Sequence, residues 1–339
     1  MVRQLVMNPL WIEPPAWLAI NPKAVEESAE LPEDFIYHRP VLQTEALELL
    51  KPKAGSLILD GTCGGGGHTE ALLESGADVL ALDQDPDAVR QVTERLAHHG
   101  RRIIVRQANF RYADCVLDEL GIPTIAGAFL DLGVSSRQFE NAERGFSLIR
   151  NGPLDMRMDP QTTLTAATIV NDYSEEDLTR LFRELGEEPA ARRIASMIVK
   201  IRKTSPFRET LPLARTIEKL VGRHGRHHPA TQVFQALRME VNDELGALEQ
   251  GLRVLTARLG RGGRIAVITF HSLEDRIVKN FFRDHSKEWL DRPEWPEPRR
   301  NPDYDLAIVT AKPVAPSEEE QRANPRSRSA KLRVAEKIK

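Results

Sequence analysis

The run Asp60-Gly61-Thr62-Cys63-Gly64-Gly65-Gly66-Gly67-His68-Thr69 constrains this chain more than any other stretch. It follows an apolar, strand-like segment (Ser56 to Leu59) and opens a helix-like one (Thr69 to Glu74). Five glycines in seven positions, between a buried strand and a helix start, let the backbone turn sharply and approach a ligand closely. Asp83 ends the next apolar run, Val79-Leu80-Ala81-Leu82, where a carboxylate can bind ribose hydroxyls. No glycine in the loop has both a glycine two residues on and a glycine or alanine five residues on, so the dinucleotide fingerprint is absent. No Lys-Ser/Thr pair follows either, which excludes a Walker-type phosphate loop. A glycine loop and a ribose acid without pyrophosphate chemistry point to S-adenosylmethionine, which carries an adenosine and an amino-acid tail but no phosphate.

The rest of the chain alternates in the way such a loop requires. Strand candidates are 56–60, 78–83, 103–107, 126–131 and 263–270, with helix-like stretches at 69–75, 86–98 and 111–120 between the first four. Short apolar strands alternating with helices predict a parallel sheet covered on both faces. After Asp131 the pattern breaks, and from about 135 to 228 only helical periods appear. In 190–203, for example, Ile194, Met197, Ile198 and Ile201 share one face. Strand–helix order resumes with a helix over 242–259, the strand ending at Phe270 and a helix over 273–285. A last pair of strands, 306–311 and 331–335, would close the sheet. A helical domain inserted after the fourth strand is the simplest account. The proline-rich stretch 293–302 reads as a surface loop, and residues 1–35, rich in Pro and Trp, as an extension.

Charge is unevenly spread. The 339 residues carry a net charge of only −3. Yet Gly186 to Arg238 holds 11 Lys/Arg against 4 Asp/Glu, with histidines at 224, 227 and 228. Gln321 to Lys339 holds seven Lys/Arg and one Glu. Local basic surfaces on a mildly acidic chain suit a polyanion contacted in places, although ordinary solvated helix faces read the same way. Two cysteines, Cys63 and Cys115, exclude a disulfide framework and argue against zinc, so no metal is expected. Cys63 reads as a small apolar filler. No stretch has the apolar length of a membrane span or the pattern of a signal peptide, so a cytoplasmic setting is expected.

Four further segments carry chemistry. Asp131-Leu132-Gly133-Val134-Ser135-Ser136-Arg137-Gln138 ends the fourth strand, so Asp131 should face the same crevice as the glycine loop. A carboxylate there can orient the N–H groups of an exocyclic amine, or simply cap the following turn. The segment Arg144 to Pro160, with Arg157 and paired methionines, reads as a loop of specified shape, for acceptor binding or for scaffold. Gln235, Arg238 and Asn242 form a polar stripe on a helix starting near His228-Pro229, facing either RNA or a domain junction. In Thr269-Phe270-His271-Ser272-Leu273-Glu274-Asp275-Arg276, Ser272 and Asp275 resemble a helix cap, and His271 stands at a strand's carboxyl end. A Ser-His-Asp hydrolase is disfavoured, because no G-x-S-x-G elbow exists.

Taken in order from His38-Arg39-Pro40-Val41-Leu42 to Asn324-Pro325-Arg326-Ser327-Arg328-Ser329-Ala330-Lys331-Leu332-Arg333, these segments resemble the ribosomal RNA small subunit methyltransferase H family, the cytosine-N4 methyltransferases. The resemblance implies a Rossmann-like class I methyltransferase sheet over 36–140 and 240–339, an inserted helical recognition domain over 141–239, and the extension 1–35. It implies methyl transfer from S-adenosylmethionine to N4 of a cytidine in small-subunit ribosomal RNA near the decoding centre, with that RNA or a ribosomal particle as partner. Carried over, Gly66, Gly67 and His68 would contact the cofactor, Asp83 the ribose and Phe110 the adenine. Asp131 and Gln138 would complete that set, with Asp131 also orienting the amine. Monomer and dimer both stay open. Rival readings are an amino-methyltransferase of DNA or protein, and a non-catalytic RNA-binding assembly factor. The D/N-P-P-Y signature common in amino-group DNA enzymes is replaced here by Asp131-Leu132-Gly133-Val134.

Overall fold

Strand cores without a polar residue leave no face for water, so the strands must lie inside a sheet covered on both sides. In the computed structural model, which describes residues 40–223, 228–291 and 293–339, this is what they do. The extension 1–35 and the histidines at 224 and 227 lie outside the described residues. Helix α1 (Gln43–Leu50) leads into β1 (Leu57–Asp60), α2 (Gly67–Glu74), β2 (Asp78–Asp83) and α3 (Pro86–Arg95). β3 (Ile103–Gln107), α4 (Ala113–Glu119) and β4 (Ile125–Asp131) follow. Asp85 starts α3 as its N-cap, accepting the Asp87 N–H at 3.0 Å, with Pro86 in the first turn.

Beyond the short α5 (Ser136–Glu140) lie five helices: α6 (Ala166–Asp172), α7 (Glu175–Glu184), α8 (Ala191–Arg202), α9 (Thr210–Val221) and α10 (Thr231–Val241). They enclose a core of their own that includes Ile169, Leu178, Phe182, Ile194, Ile198, Leu213 and Leu237, all fully buried. Helix α11 (Glu244–Arg258) returns the chain to β5 (Leu259–Thr269), and α12 (Ser272–His285) follows. A two-stranded pair, β6 (Trp289–Leu290) with β7 (Arg299–Arg300), β8 (Leu306–Ile308), α13 (Glu318–Ala323) and β9 (Lys331–Lys337) end the chain.

The main sheet runs β3-β2-β1-β4-β5-β9-β8. β1 to β5 are parallel; β9 pairs antiparallel with both β5 and β8, so it alone runs against the other six. One face packs on α1, α2 and α3 through Leu50, Leu72, Leu73 and Val92, the other on α4, α11 and α12 through Leu117, Leu252 and Phe282. Two elements depart from expectation. β5 begins at Leu259, because residues 260–263 bulge out between the pairs Ile125–Leu259 and Gly127–Arg264. The stretch 293–302, expected as plain loop, contains β7, which pairs with β6 just before it, where Trp289 is exposed.

Candidate active site

In an open parallel sheet the chain leaves a crevice where strand order reverses, outside the carboxyl ends of the strands. Here that point lies between β1 and β4. The turn after β1 is tied down on both sides: Gly61 N–H donates to Phe129 O and Cys63 N–H to Leu82 O, each at 2.9 Å. Asp83, ending β2, accepts the Gly64 N–H at 2.8 Å on Oδ2 and the Asp85 N–H at 2.9 Å on Oδ1. Burial pushes its carboxyl from the ordinary 3.8 up to about 6 against those two donors, with the charges of Asp85 and Asp60 adding to the rise. Each oxygen keeps a lone pair for a hydroxyl donor.

The glycines divide by task. A Cβ on Gly65 would meet nothing within 4 Å, so this part of the loop is open to a ligand. At Gly66, φ is +83°, the left-handed turn that starts α2. A Cβ on Gly67 would come within 2.4 Å of Pro40 Cγ, so its lack of a side chain serves packing. Phe110, after β3, is buried against both the loop and α11: a Cβ on Gly61 would lie 2.9 Å from Phe110 Cβ, and one on Gly251 2.4 Å from Phe110 Cδ2. Burial, then the charges of Asp83 and Asp60, raises the Cys63 thiol well above its ordinary value, so it stays protonated and fills space.

Across the switch point stands Asp131. Its N–H donates to Thr62 Oγ1 at 2.7 Å, which stitches β4 to the glycine loop. Its carboxylate caps no turn. Oδ1 is buried with no hydrogen-bond partner, and Oδ2 lies 3.5 Å from His68 Nε2, itself buried and without a hydrogen bond. The His68 ring packs on Phe129 at 4.4 Å between centroids. Beneath them, fully buried Asp60 accepts Thr69 Oγ1–H at 2.6 Å and the Thr62 N–H at 3.2 Å. Burial lifts the Asp60 carboxyl above its ordinary value, while Thr69, the nearby His68 and Thr62 hold it down. Gln138 is brought to the neighbourhood differently. Its amide completes a capping box with Ser135 and donates to Asp85 Oδ2 at 2.8 Å, so both ends of its side chain are engaged within the protein.

A carboxylate held by two backbone donors, an open glycine turn and a carboxylate with an orphaned oxygen, on either side of one switch point, suit a nucleoside-bearing donor and an amine acceptor. Residues 35–338 match the model of the MraW methylase family. The chain is a member of the MraW methylase family. It is 49% identical over 304 residues to the ribosomal RNA small subunit methyltransferase H of Carboxydothermus hydrogenoformans, covering 89% of this chain and 98% of that protein. The proteins of the same name from Heliobacterium modesticaldum and Syntrophotalea carbinolica are each 47% identical, over 89% and 90% of this chain and 99% of theirs. A solved rRNA methylase from Streptococcus thermophilus superposes with a TM-score of 0.40 at 12% identity, over 88% of this chain and 94% of that one, a likeness too remote to carry weight.

In this MraW-family chain the loop 144–160 is tied to the turn after β2 and to the end of α10, by residues that the motif reading treated separately. Arg144 pairs with Asp85 at 2.8 Å and donates to Arg157 O and Met158 O at 3.1 and 3.0 Å. Arg157 pairs with Asp155 in the same loop and supports its backbone, rather than reaching the crevice acids. Two of the three residues of the α10 stripe face the junction: Asn242 accepts the Met158 N–H and donates to Met156 O, both at 2.8 Å, and Arg238 forks onto Glu244 at 2.7 and 2.9 Å, whereas Gln235 reaches Leu185 O at 3.5 Å inside the insertion. Ser272 does not cap α12. Its hydroxyl donates to Glu187 Oε2 at 2.8 Å, and Asp275 is drawn to Arg333 and Lys331 of β9 at 2.7 and 3.2 Å.

His271 Nε2 lies 2.9 Å from Glu274 Oε1, and Glu244 approaches so that one ligand atom from each of the three falls within 4.8 Å. Arg238 already supplies the positive charge at Glu244. Thr62, Asp85 and Glu187 escaped the motif reading. The Asp83-Gln84-Asp85-Pro86 run carried the helix-start signal that marks Asp85, whereas nothing local marks Glu187.

Proposed function

We propose that this methylase transfers a methyl group from S-adenosylmethionine to N4 of a cytidine in small-subunit ribosomal RNA, near the decoding centre. Family membership across nearly the whole chain carries this reading, and the crevice has the groups it needs. The part-exposed Asp131 carboxylate and the open turn at Gly65 fit a missing ligand. The main chain of 64–68 and the Asp83 carboxylate would hold the donor, with Phe110 backing the loop. When bound, the donor supplies an electrophilic methyl on sulfonium. Asp131 accepts an N–H of the cytidine amine, which turns the nitrogen lone pair outward and favours the positive charge that develops on it. The extra proton leaves the alkylated nitrogen for water. Holding two reactants in register can account for roughly 7–11 kcal/mol of barrier lowering.

The residues 141–239 serve in this reading as the recognition domain, with basic side chains meeting phosphates, and the protein works in the cytoplasm. Among the described residues no helix is long and apolar enough to cross a membrane. Nucleoside mass spectrometry of small-subunit RNA from cells with and without the gene tests the assignment: N4-methylcytidine or its dimethylated derivative should disappear. An unchanged profile would return the acceptor to DNA or a protein amine. Asp131→Ala should lower turnover at saturating donor about 100-fold, in the range lost when one preorganised polar contact is removed. Unchanged turnover would remove Asp131 from the chemistry.

A further inference from the structure

We infer that the side chain of His68 is the positioning residue for Asp131, while its backbone alone belongs to the cofactor turn. This rests on the methyl-transfer reading above. Two buried polar atoms, His68 Nε2 and Asp131 Oδ1, lack hydrogen bonds in the same crevice, and the Asp131 carboxylate is 3.5 Å from His68 at its nearest. Buried polar groups are paired when a site is complete. The His68 side chain is 10% exposed and that of Asp131 25%; with Oδ1 buried, Oδ1 is the inner oxygen that a His68 donor would meet and Oδ2 the outer one left for an acceptor.

No hydrogen bond holds His68 Nε2 elsewhere, although the ring lies near enough to Asp60 to favour that carboxylate's ionised form. The ring is braced by Phe129, and the Asp60 carboxylate beneath is occupied by Thr69 and Thr62. The Asp131 backbone is pinned by Thr62, so a small rotation of the carboxylate alone closes the gap. With an acceptor amine on the outer edge of Asp131, His68 Nε2–H donates to the inner edge and fixes the rotamer. Catalytic hydrogen bonds are commonly loose before the substrate is bound.

The test uses the full-length protein. His68→Ala should lower kcat about 10- to 100-fold, with KM for the ribosomal particle and calorimetric affinity for S-adenosylhomocysteine both within about twofold of wild type. His68→Gln, whose amide can donate from the same side, should recover most of kcat. His68→Ala combined with Asp131→Asn should be no slower than Asp131→Asn alone, because the histidine would have nothing left to position. A second readout needs no turnover. Ring 15N shifts of labelled histidine should show His68 carrying its proton on Nε2, and Asp131→Asn should perturb that resonance, identified by its loss in His68→Gln. The inference is overturned if His68→Ala weakens S-adenosylhomocysteine tenfold or more at unchanged kcat, if the two losses multiply in the double variant, or if Asp131→Asn leaves the resonance unmoved. If His68→Ala does not fold, His68→Gln against His68→Leu gives the same comparison. Should the wild type fail to methylate ribosomal RNA while the resonance shifts as expected, the acceptor assignment falls and the pairing stands.

Discussion

At the scale of single residues, Asp83 links ligand binding to pH. Its folded value of about 6 lies above the ordinary 3.8 because the carboxyl is buried near Asp85 and Asp60. In the proposed donor site ribose hydroxyls would donate to the ionised form, so binding there would favour the state that burial disfavours. Affinity for S-adenosylhomocysteine should be level above about pH 7 and fall as pH drops through 6, by at most about tenfold per unit. For stability the sign reverses: the free protein gives up stability as pH rises from 3.8 through about 6, the span in which the buried group must ionise. The ligand should therefore raise the melting temperature more at pH 7.5 than at pH 5.5, roughly one and a half units above and half a unit below the value of about 6 for this group. Calorimetry across that range checks both statements, and Asp83→Asn should bind more weakly with a flat profile. A profile in the wild type that is equally flat would mean that Asp83 does not titrate between pH 5.5 and 7.5.

At the scale of elements, α11 and the turn after β3 fit because position 251 has no side chain. Gly251→Ala would place a methyl 2.4 Å from Phe110 Cδ2 and 2.6 Å from Cε2, inside a ring that is 8% exposed. Alanine gains up to about 1 kcal/mol in helix propensity, but overpacking costs about 1–3 kcal/mol, so the variant should be less stable. The urea midpoint should fall with the slope unchanged, and Phe110→Leu in the same background should restore part of the loss. A more stable Gly251→Ala would show that the ring yields freely.

The same pairing shows where legibility ended. Strands β1 to β4 and helices α3 and α8 were readable because their periodicity and caps are local. Asp83 and Asp131 were readable because strand ends in a parallel sheet point to one crevice. The bulge that starts β5 at Leu259, the Ser272–Glu187 bond and the Phe110–Gly251 fit were not. Each depends on a partner far away in the chain, and neither period nor cap encodes it.

At the scale of the molecule, a net charge of −3 conceals an uneven distribution, which the proposed function reads as a division of labour. The sheet that carries Asp60, Asp83 and Asp131 gathers acids around the crevice, where a cationic donor and an amine are handled. The helical insertion exposes Arg192, Lys200, Lys203, Arg208, Arg215 and Lys219, none of which makes an ion pair among the described residues. Exposed cations without partners gain little for folding, and releasing counterions from a phosphate backbone is where they gain most. The insertion is joined to the sheet by neutral and paired groups, Asn242 on Met156 and Met158 and Arg144 on Asp85, which salt screens weakly. Raising the ionic strength should therefore strip RNA from the protein without loosening the junction or the donor site. Replacing Arg192, Lys200, Lys203 and Lys219 together by alanine should flatten the slope of log K against log salt by up to about 0.7 per lost phosphate contact on single-stranded RNA. Affinity for S-adenosylhomocysteine should stay within about twofold of wild type, since among the described residues none of the four makes a hydrogen bond or ion pair with Asp60, Asp83 or Asp131. If the slope is unchanged, these cations face away from the RNA, and the basic carboxyl-terminal segment that holds Arg326 and Arg328 becomes the surface that reads the backbone.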